Sequence, residues 1–289
     1  MSASVQLGLV LALLCAFTST LGFLYKHRGA SAAPKVEFSH PVRTVTQLFA
    51  NRWFAIGMGV AVGAWILHVA AMAFAPLSVV QAVLSTGVVM LAVLADRVFG
   101  FNVGARQWIG VGLTALGLLL LGVTLPQAPG AHSSFSLPAM IAFEAGMLAL
   151  GMLLITGKHL GAPAHHHGTI MGAAAGILFG VSDVAIKALV GMDGPLAVLL
   201  SPWLLVTILV SVIAFYASAR GLQDGEAVPV IAATSTAANV SAIAGGILVF
   251  GDPLPADPVG IVVQVVAFVL VIVAAMLVPP PVRAAAAGS

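Results

Sequence analysis

The stretch MGAAAGILFGVSDVAIKALVG, residues 171–191, carries two opposite charges in an otherwise almost wholly apolar segment. Asp183 and Lys187 stand one helical turn apart. They follow a doubled G-x-x-x-G pattern formed by Gly172, Gly176 and Gly180. At 100° per residue these five positions fall within about 80° of one another on a helix. Because glycines at this spacing let a second helix backbone approach closely, the pattern predicts a helix whose charged face points into protein.

The rest of the chain is equally apolar. It has 289 residues, of which 61% are hydrophobic and 7% are charged, and its mean hydropathy is +1.13. Soluble domains carry roughly 25% charged residues, so this composition excludes a soluble domain. Long apolar runs predict helices rather than barrel strands, whose polarity would alternate. The expected fold class is therefore an all-α polytopic membrane protein.

Apolar runs long enough to cross a bilayer, about 20 residues each, occur nine times. The expected spans are 5–25, 53–75, 77–95, 105–125, 136–157, 168–190, 197–219, 228–249 and 258–278. The pair Ala75-Pro76 separates the second span from the third, because proline ends one helix or begins the next. The longest loop is 26–52. Its second half, VRTVTQLFANRW, is either a short helix at the membrane surface or a flexible linker.

The basic residues predict the orientation of the chain. Ten of the eleven Lys and Arg residues fall after spans 1, 3, 5 and 7 or in the C-terminal tail, and the eleventh is Lys187. Cytoplasmic loops carry an excess of Lys and Arg. We therefore expect a multi-pass protein of the plasma (inner) membrane, with its N-terminus outside and its C-terminus in the cytoplasm.

Two parts of the chain resemble each other at a spacing of about 150 residues, or about 160 for the first helix of each part. The segment AFTSTLGFLYK, ending at Lys26, resembles LFGVSDVAIK, ending at Lys187. Further matched positions are Trp53 with Trp203, VFG at 98–100 with 249–251, and Gly110 with Gly260. Spans 1–4 would thus match spans 6–9, and the odd fifth span would invert the second copy in the membrane. The interpretation is an inverted 4+1+4 repeat, a design typical of secondary transporters.

This interpretation divides the chain into four parts. They are a first four-helix repeat (1–126), a linking helix with a cytoplasmic loop (127–167), a second repeat (168–279) and a disordered tail (280–289).

The segment APLSVVQAVLSTGVV at 75–89, together with VFGDPLPADPVG at 249–260, resembles the drug/metabolite transporter superfamily. Its EamA-type and NIPA-like branches are the most similar, and the resemblance covers nearly the whole chain. It implies a 4+1+4 bundle that moves a solute by alternating access. It also implies an acidic residue after the third helix of each repeat, where Asp96 and Asp252 stand. NIPA-like members are associated with magnesium.

Besides Arg106 at the very start of the fourth span, four charged or histidine side chains fall inside the expected spans, and such residues are functional candidates because their insertion is costly. They are His68, Glu144, Asp183 and Lys187. Asp183 and Lys187 are either a structural ion pair or a pair coupled to protons or substrate, and Lys187 stands close enough to the outer end to reach water. Glu144 has no basic residue one turn away, so it is either a proton carrier or a neutral carboxyl group bonded to another helix. His68 is either a packing residue or a proton relay.

Two uncharged polar faces complete the candidate site. Span 3 carries Ser78, Gln81 and Ser85 on one face. Span 8 carries Ser235, Thr236 and Asn239 on one face. The repeat matches Ser85 with Thr236. Such residues line a cavity, or they join helices and bond to their own backbone. We expect Asp183, Glu144, Ser85 and Asn239 to converge in part on one cavity.

The leading functional hypothesis is a secondary-active transporter of a small organic solute, driven by protons or ions. A magnesium transporter and a non-transporting accessory protein are the alternatives. We expect no enzymatic activity, no cofactor and no nucleic acid, because the chain lacks a nucleotide-binding loop and a basic domain face. Zinc binding at HHH, residues 165–167, together with His159, is not expected, since no Cys or acidic residue joins them. The expected partners are the substrate and the lipid bilayer, with a homodimer left open.

Overall fold

The computed structural model describes residues 3–87, 90–91, 93–94, 105–124, 133–156, 166–252, 255 and 257–277. Helices are the only regular secondary structure among these residues. They are α1 (Ala3–Ser31), α2 (Pro41–Phe49), α3 (Arg52–Phe74), α4 (Leu77–Leu84), α5 (Ala105–Thr124), α6 (Leu137–Thr156), α7 (His167–Val190), α8 (Pro195–Leu200), α9 (Pro202–Asp224), α10 (Ala227–Phe250) and α11 (Pro258–Leu277). Asp96, His159, His165 and the predicted tail lie outside the described residues.

Six of the described helices are long and apolar enough to cross a membrane: α1, α3, α6, α7, α9 and α10. The chain is therefore a multi-pass, all-helical membrane protein over the part that the structure describes. The other expected spans, at 77–95, 105–125 and 258–278, include residues outside that part. The count of nine stays a prediction.

Helix α1 is longer than expected. It runs to Ser31 instead of ending near residue 25, so Lys26 and Arg28 lie on a helix and not in a loop. Its last turns pack on the start of α3, where the Tyr25 ring stacks on Trp53 at 5.8 Å and the Arg28 guanidinium lies 4.2 Å from the Trp53 ring centroid. Tertiary packing thus continues the helix through charged residues that are themselves good helix formers.

The second half of the first loop forms helix α2. Pro41 stands in its first turn, where the missing amide hydrogen of proline costs nothing. Leu48 is buried against the bundle, while Val42 and Phe49 are exposed. Of the two interpretations, the structure favours the helix over the flexible linker.

Helices α3 and α9 begin and end alike. Each has 23 residues. Asn51 Oδ1 accepts a hydrogen bond from Trp53 N (3.0 Å), and Ser201 Oγ accepts one from Trp203 N (3.3 Å). Both side chains therefore satisfy an amide that the first turn of a helix leaves free. The matched tryptophans mark matched helix starts.

Helix α7 lies at the centre of the bundle, between α9 and α10. A Cβ atom at Gly172 would lie 2.8 Å from Val230 O, and one at Gly176 would overlap Thr234 O. The glycines therefore bring the backbone of α10 into contact, as their spacing predicts. Asp183 and Lys187 are both buried on this helix, so its charged face points into protein.

The third expected span is interrupted. Helix α4 begins after Pro76, as predicted, but ends at Leu84 with a turn at Ser85 and Thr86. Ser85 Oγ donates to Gln81 O (2.9 Å), and Thr86 Oγ1 donates to Val83 O (2.7 Å). Ser85 N also keeps its bond to Gln81 O (3.0 Å), and the turn itself is the bond of Thr86 N to Val83 O (3.0 Å). Hydroxyl groups that bond to the preceding turn often accompany such a bend in a helix. The matched helix α10 continues without interruption to Phe250.

Candidate functional site

Three helices bring together a buried polar cluster, which we call the Asp183 cluster: His68 on α3, Gln81 on α4 and Asp183 on α7. Gln81 Nε2 donates a hydrogen bond to Asp183 Oδ2 (3.0 Å) and lies 3.1 Å from His68 Nε2. His68 Nδ1 lies 3.6 Å from Asp183 Oδ1. If the Gln81 amide donates to both neighbours, a neutral His68 carries its hydrogen on Nδ1, facing the carboxylate.

The Asp183 cluster lines a cavity of about 220 Å³ between the two halves of the chain. Helix α1 contributes Cys15, Ser19 and Thr20, and α10 contributes Thr234, Ser235 and Asn239. The cavity therefore combines one carboxylate, one imidazole, two amides and several hydroxyl groups within the bundle.

A second cavity, of about 480 Å³, adjoins the first. The two share Lys26, Ala61, Trp65, Phe179 and Asp183. The larger one is mainly apolar and lies between α3 and α9. Three of its lining residues are about half exposed: Val62, Trp65 and Ile208. It is therefore open to the side of the bundle.

Half of the predicted site residues line the smaller cavity: His68, Gln81, Asp183 and Asn239. The other four line neither of these two cavities: Ser85, Glu144, Lys187 and Thr236. Of the four residues expected to converge, Asp183 and Asn239 line the same cavity, whereas Glu144 and Ser85 line neither of the two cavities.

Lys187 does not pair with Asp183. Its side chain is fully buried, and Nζ donates to Met72 O (2.8 Å) and Ala75 O (3.1 Å). These carbonyl groups end α3, where the backbone leaves acceptors free and the helix dipole favours a cation. The expected ion pair is replaced by these bonds, and the side chain does not reach water.

Asp252 contacts the same connection between α3 and α4 from its other side. Its Oδ2 accepts a hydrogen bond from Ser78 N at the start of α4 (2.8 Å), and the residue is buried. A carboxylate at a helix N-terminus complements the helix dipole. The connection between α3 and α4 is thus fixed by a lysine at its carbonyl end and an aspartate at its amide end, both from the second half of the chain.

The remaining predicted residues are buried in different surroundings. Both carboxyl oxygens of Glu144 are buried without a hydrogen-bond partner among the described residues, so the bond to a neighbouring helix is not observed. Its role as a proton carrier stays a prediction. Ser85 bonds to its own helix, the alternative to cavity lining that its position left open. Thr236 is buried on α10.

Sequence reasoning missed Lys26, which was assigned to a loop. The residue is 9% exposed, and its side chain lines both cavities and places Nζ 3.9 Å from the centroid of the Phe23 ring. The repeat gave a signal for it, because it aligns Lys26 with Lys187. A lysine matched to one inside a span was a candidate for the bundle interior.

No metal centre is evident in the described part of the chain, where no group of three His, Cys, Asp or Glu side chains is placed to hold an ion. Two of the histidines weighed for zinc, His159 and His165, lie outside it.

Two known proteins are similar to this chain in sequence. The probable magnesium transporter NIPA9 of Arabidopsis thaliana is 23% identical over 268 residues, which cover 88% of this chain and 76% of that protein. An uncharacterised protein of Corynebacterium glutamicum is 27% identical over 189 residues, 64% of this chain and 63% of that protein. No protein-family model and no solved structure matches the chain.

Proposed function

We propose that this protein is a secondary-active transporter that moves a small organic solute by alternating access and couples it to protons. The observation that carries the proposal is the position of the Asp183 cluster. It combines a carboxylate and an imidazole inside the bundle and lines a cavity to which α1, α3, α4, α7 and α10 all contribute. Ionisable groups inside membrane proteins are retained mainly where they serve ion or substrate pathways.

The cluster offers two places for one proton. A proton on Asp183 removes the charge that Gln81 Nε2 and His68 Nδ1 face across 3.0 and 3.6 Å. A proton on His68 instead leaves an ion pair with Asp183 and removes the acceptor that Nε2 offers to Gln81. Either event changes bonds between α3, α4 and α7 at once, so proton binding is linked to how these helices pack.

The rocking elements of the proposed mechanism are the two four-helix repeats of an inverted 4+1+4 bundle. The equal lengths of α3 and α9 and the matched caps at Trp53 and Trp203 support it. In transporters built this way the substrate site lies where the repeats meet. The proposal includes the plasma membrane, with the N-terminus outside, on the distribution of basic residues in the sequence.

A magnesium transporter is the second candidate, because a similar protein carries that name. The chemistry of the cavity argues against it. Mg²⁺ takes oxygen ligands in octahedral geometry, mostly carboxylates and waters. Asp183 is the one carboxylate that lines the described cavities, and it shares both of them with the cation Lys26. The competing class, a non-transporting accessory protein, leaves a polar cavity between the repeats unexplained. An enzyme is not supported, since the named relative is a transporter.

Transport by purified protein in proteoliposomes tests the proposal. The panel is Mg²⁺, amino acids, organic anions and cationic dyes, each measured with and without an inward proton gradient. We expect gradient-driven accumulation of an organic solute. Asp183→Asn should reduce the driven component at least tenfold, because the amide keeps the shape of the side chain but cannot take up a proton. Asp193→Asn, which changes an exposed carboxylate after α7, is the matched control.

Accumulation of Mg²⁺ alone would overturn the organic-solute assignment in favour of the second candidate. Transport that keeps its full response to the gradient in Asp183→Asn would remove proton coupling from this cluster.

A further inference from the structure

Lys26 is a buried cation whose charge nothing in the described residues neutralises. No carboxylate and no hydrogen-bond acceptor of that part of the chain contacts its Nζ, and its described contact is the face of the Phe23 ring. An aromatic face stabilises an ammonium group only modestly. Because a buried charge is normally paired or hydrogen-bonded, the missing partner of Lys26 points to an anionic group supplied by a ligand.

The side chain of Lys26 is directed into the cavities. Side chains on a helix tilt towards its N-terminus, so Nζ lies one turn back, above Phe23. Lys26 lines both cavities there, together with Trp65 and Phe179. A ligand in either cavity can therefore reach the ammonium group.

The larger cavity suits the apolar part of such a ligand. Its volume of about 480 Å³ falls in the usual range for small-molecule sites, about 300–1,000 Å³. Phe54, Met58, Phe179 and Phe215 are among its apolar walls. Two of its hydroxyl groups, on Ser182 and Ser211, bond to each other at 2.9 Å, so they do not require a polar ligand.

The cavity opens between α3 and α9, two helices that are long and apolar enough to cross a membrane. Val62, Trp65 and Ile208 line it and are also exposed on the surface of membrane-spanning helices. A solute with a hydrocarbon part can enter there from the lipid, whereas a fully hydrated ion cannot.

Asp183 does not occupy the same end of the cavities as Lys26. A Cβ atom at Gly57 of α3 would lie 2.7 Å from Lys26 N, so the backbone of Lys26 on α1 lies level with Gly57. The eleven residues from Gly57 to His68 correspond to about 16 Å of helix. Asp183 lies at the far level, where it accepts a hydrogen bond from Gln81 Nε2 and lies 3.6 Å from His68 Nδ1. Because Nζ reaches back by one turn, about 5 Å, towards the level of His68, roughly 11 Å of helix remains between them, and an anionic group beside Nζ need not contact the carboxylate.

We infer that the two cavities form the site of an amphiphilic organic anion, whose charged head pairs with Lys26 and whose hydrocarbon part fills the chamber between α3 and α9. The inference rests on the proposed transport function and names the class of solute for it. A carboxylate and a phosphate monoester share this chemistry. A hydrophobic cation or a divalent metal ion would instead face the ammonium group.

Trp65 provides the readout, because it lines both cavities. We would titrate 8-bromooctanoate into the full chain in lipid nanodiscs and follow the quenching of tryptophan fluorescence by bromine. Trp65→Phe identifies the part of the signal that comes from this site. Octanoate, octyl phosphate and octylammonium are then added as competitors of equal chain length.

We expect saturable quenching that Trp65→Phe removes. Octanoate or octyl phosphate should displace the probe, and the better of the two identifies the head group. Octylammonium should require at least tenfold higher concentrations. Lys26→Gln should weaken binding at least tenfold, Lys26→Arg should keep it within about threefold, and Lys35→Gln, at an exposed loop lysine, should leave it unchanged.

Equal competition by octylammonium would overturn the inference with the native chain alone, so the test survives if Lys26→Gln fails to fold. Quenching that is not saturable, or that is unchanged in a folded Lys26→Gln, would overturn it as well. The transport assay is scored separately. Anion binding without transport of any solute would defeat the proposed function and keep the site, whereas transport without anion binding would do the reverse.

Discussion

Helices α1 and α7, whose sequences align when Lys26 is set against Lys187, differ at their aligned positions. With Lys26 set against Lys187, Cys15 and Ser19 of α1 correspond to Gly176 and Gly180 of α7. On α7 these glycines let α10 approach in backbone contact. On α1 the side chains of Cys15 and Ser19 line the smaller cavity. A change from glycine to a small side chain thus accompanies the change from a closed contact between helices to a cavity.

The two aligned lysines also differ in their surroundings: the one on α7 lies in a closed contact, and the one on α1 lies beside a cavity. Lys187 is fully buried between the carbonyl groups that end α3, whereas Lys26 lines the cavities with an aromatic face as its described contact. The residue type is the same, so its surroundings decide its role. A lysine next to the free carbonyl groups of a helix end fixes structure, and a lysine next to a cavity is available to a ligand.

The largest effect that this comparison predicts concerns the contact of α7 with α10. Gly176→Ala should lower the free energy of unfolding by about 3 kcal/mol, because the added methyl group would overlap Thr234 O and lie 2.8 Å from Ala237 Cβ. Unfolding of the purified protein in mixed detergent and SDS micelles measures it. Gly59→Ala on α3 is the control, since no atom lies within 4 Å of its added Cβ.

A Gly176→Ala variant as stable as Gly59→Ala would mean that α7 and α10 separate without cost. The contrast with α1 would then disappear.

The glycine face of α7 was predictable from sequence, because its cause is local, whereas the identity of the helix that packs on it, α10, was not. Glycine spacing fixes which face of a helix admits another backbone, and Pro76 fixes where α3 and α4 part. The length of α1 and the turn at Ser85 were not predictable in this way. The length of α1 depends on the packing of its last turns against Trp53. The turn at Ser85 lies where a hydroxyl group can bond either to its own backbone or towards a cavity, and spacing in the sequence does not distinguish the two.

An intermediate effect is expected at Lys187. Lys187→Met should lower the free energy of unfolding by about 2 kcal/mol, because it leaves the buried carbonyl groups of Met72 and Ala75 without their donor. The same unfolding assay applies, with Lys35→Met as the control for removing an exposed lysine. If the two variants lose equal stability, the bonds of Lys187 to α3 do not stabilise the connection between α3 and α4.

The candidate site was predictable only in part, and these lysines show why. The sequence placed Asp183 and His68 among candidates because charges inside spans are few. It could not assign partners, since the acceptors of Lys187 are backbone carbonyl groups, which every residue carries. Lys26 was counted with the loops because charge is what marks a span's end in sequence, although the helix continues past it to Ser31.

The smallest predicted effect has the opposite sign. Lys26→Met should raise the free energy of unfolding by about 1 kcal/mol, because methionine keeps the packing of the side chain and removes a buried charge that has no counter-ion among the described residues. The comparison is with Lys187→Met in the same micelles and without added amphiphile. A loss of stability at Lys26 as large as that at Lys187 would show that both lysines are structural. A gain at Lys26 beside a loss at Lys187 means that the protein retains the Lys26 charge at a cost to its own stability, as expected where the charge serves a ligand.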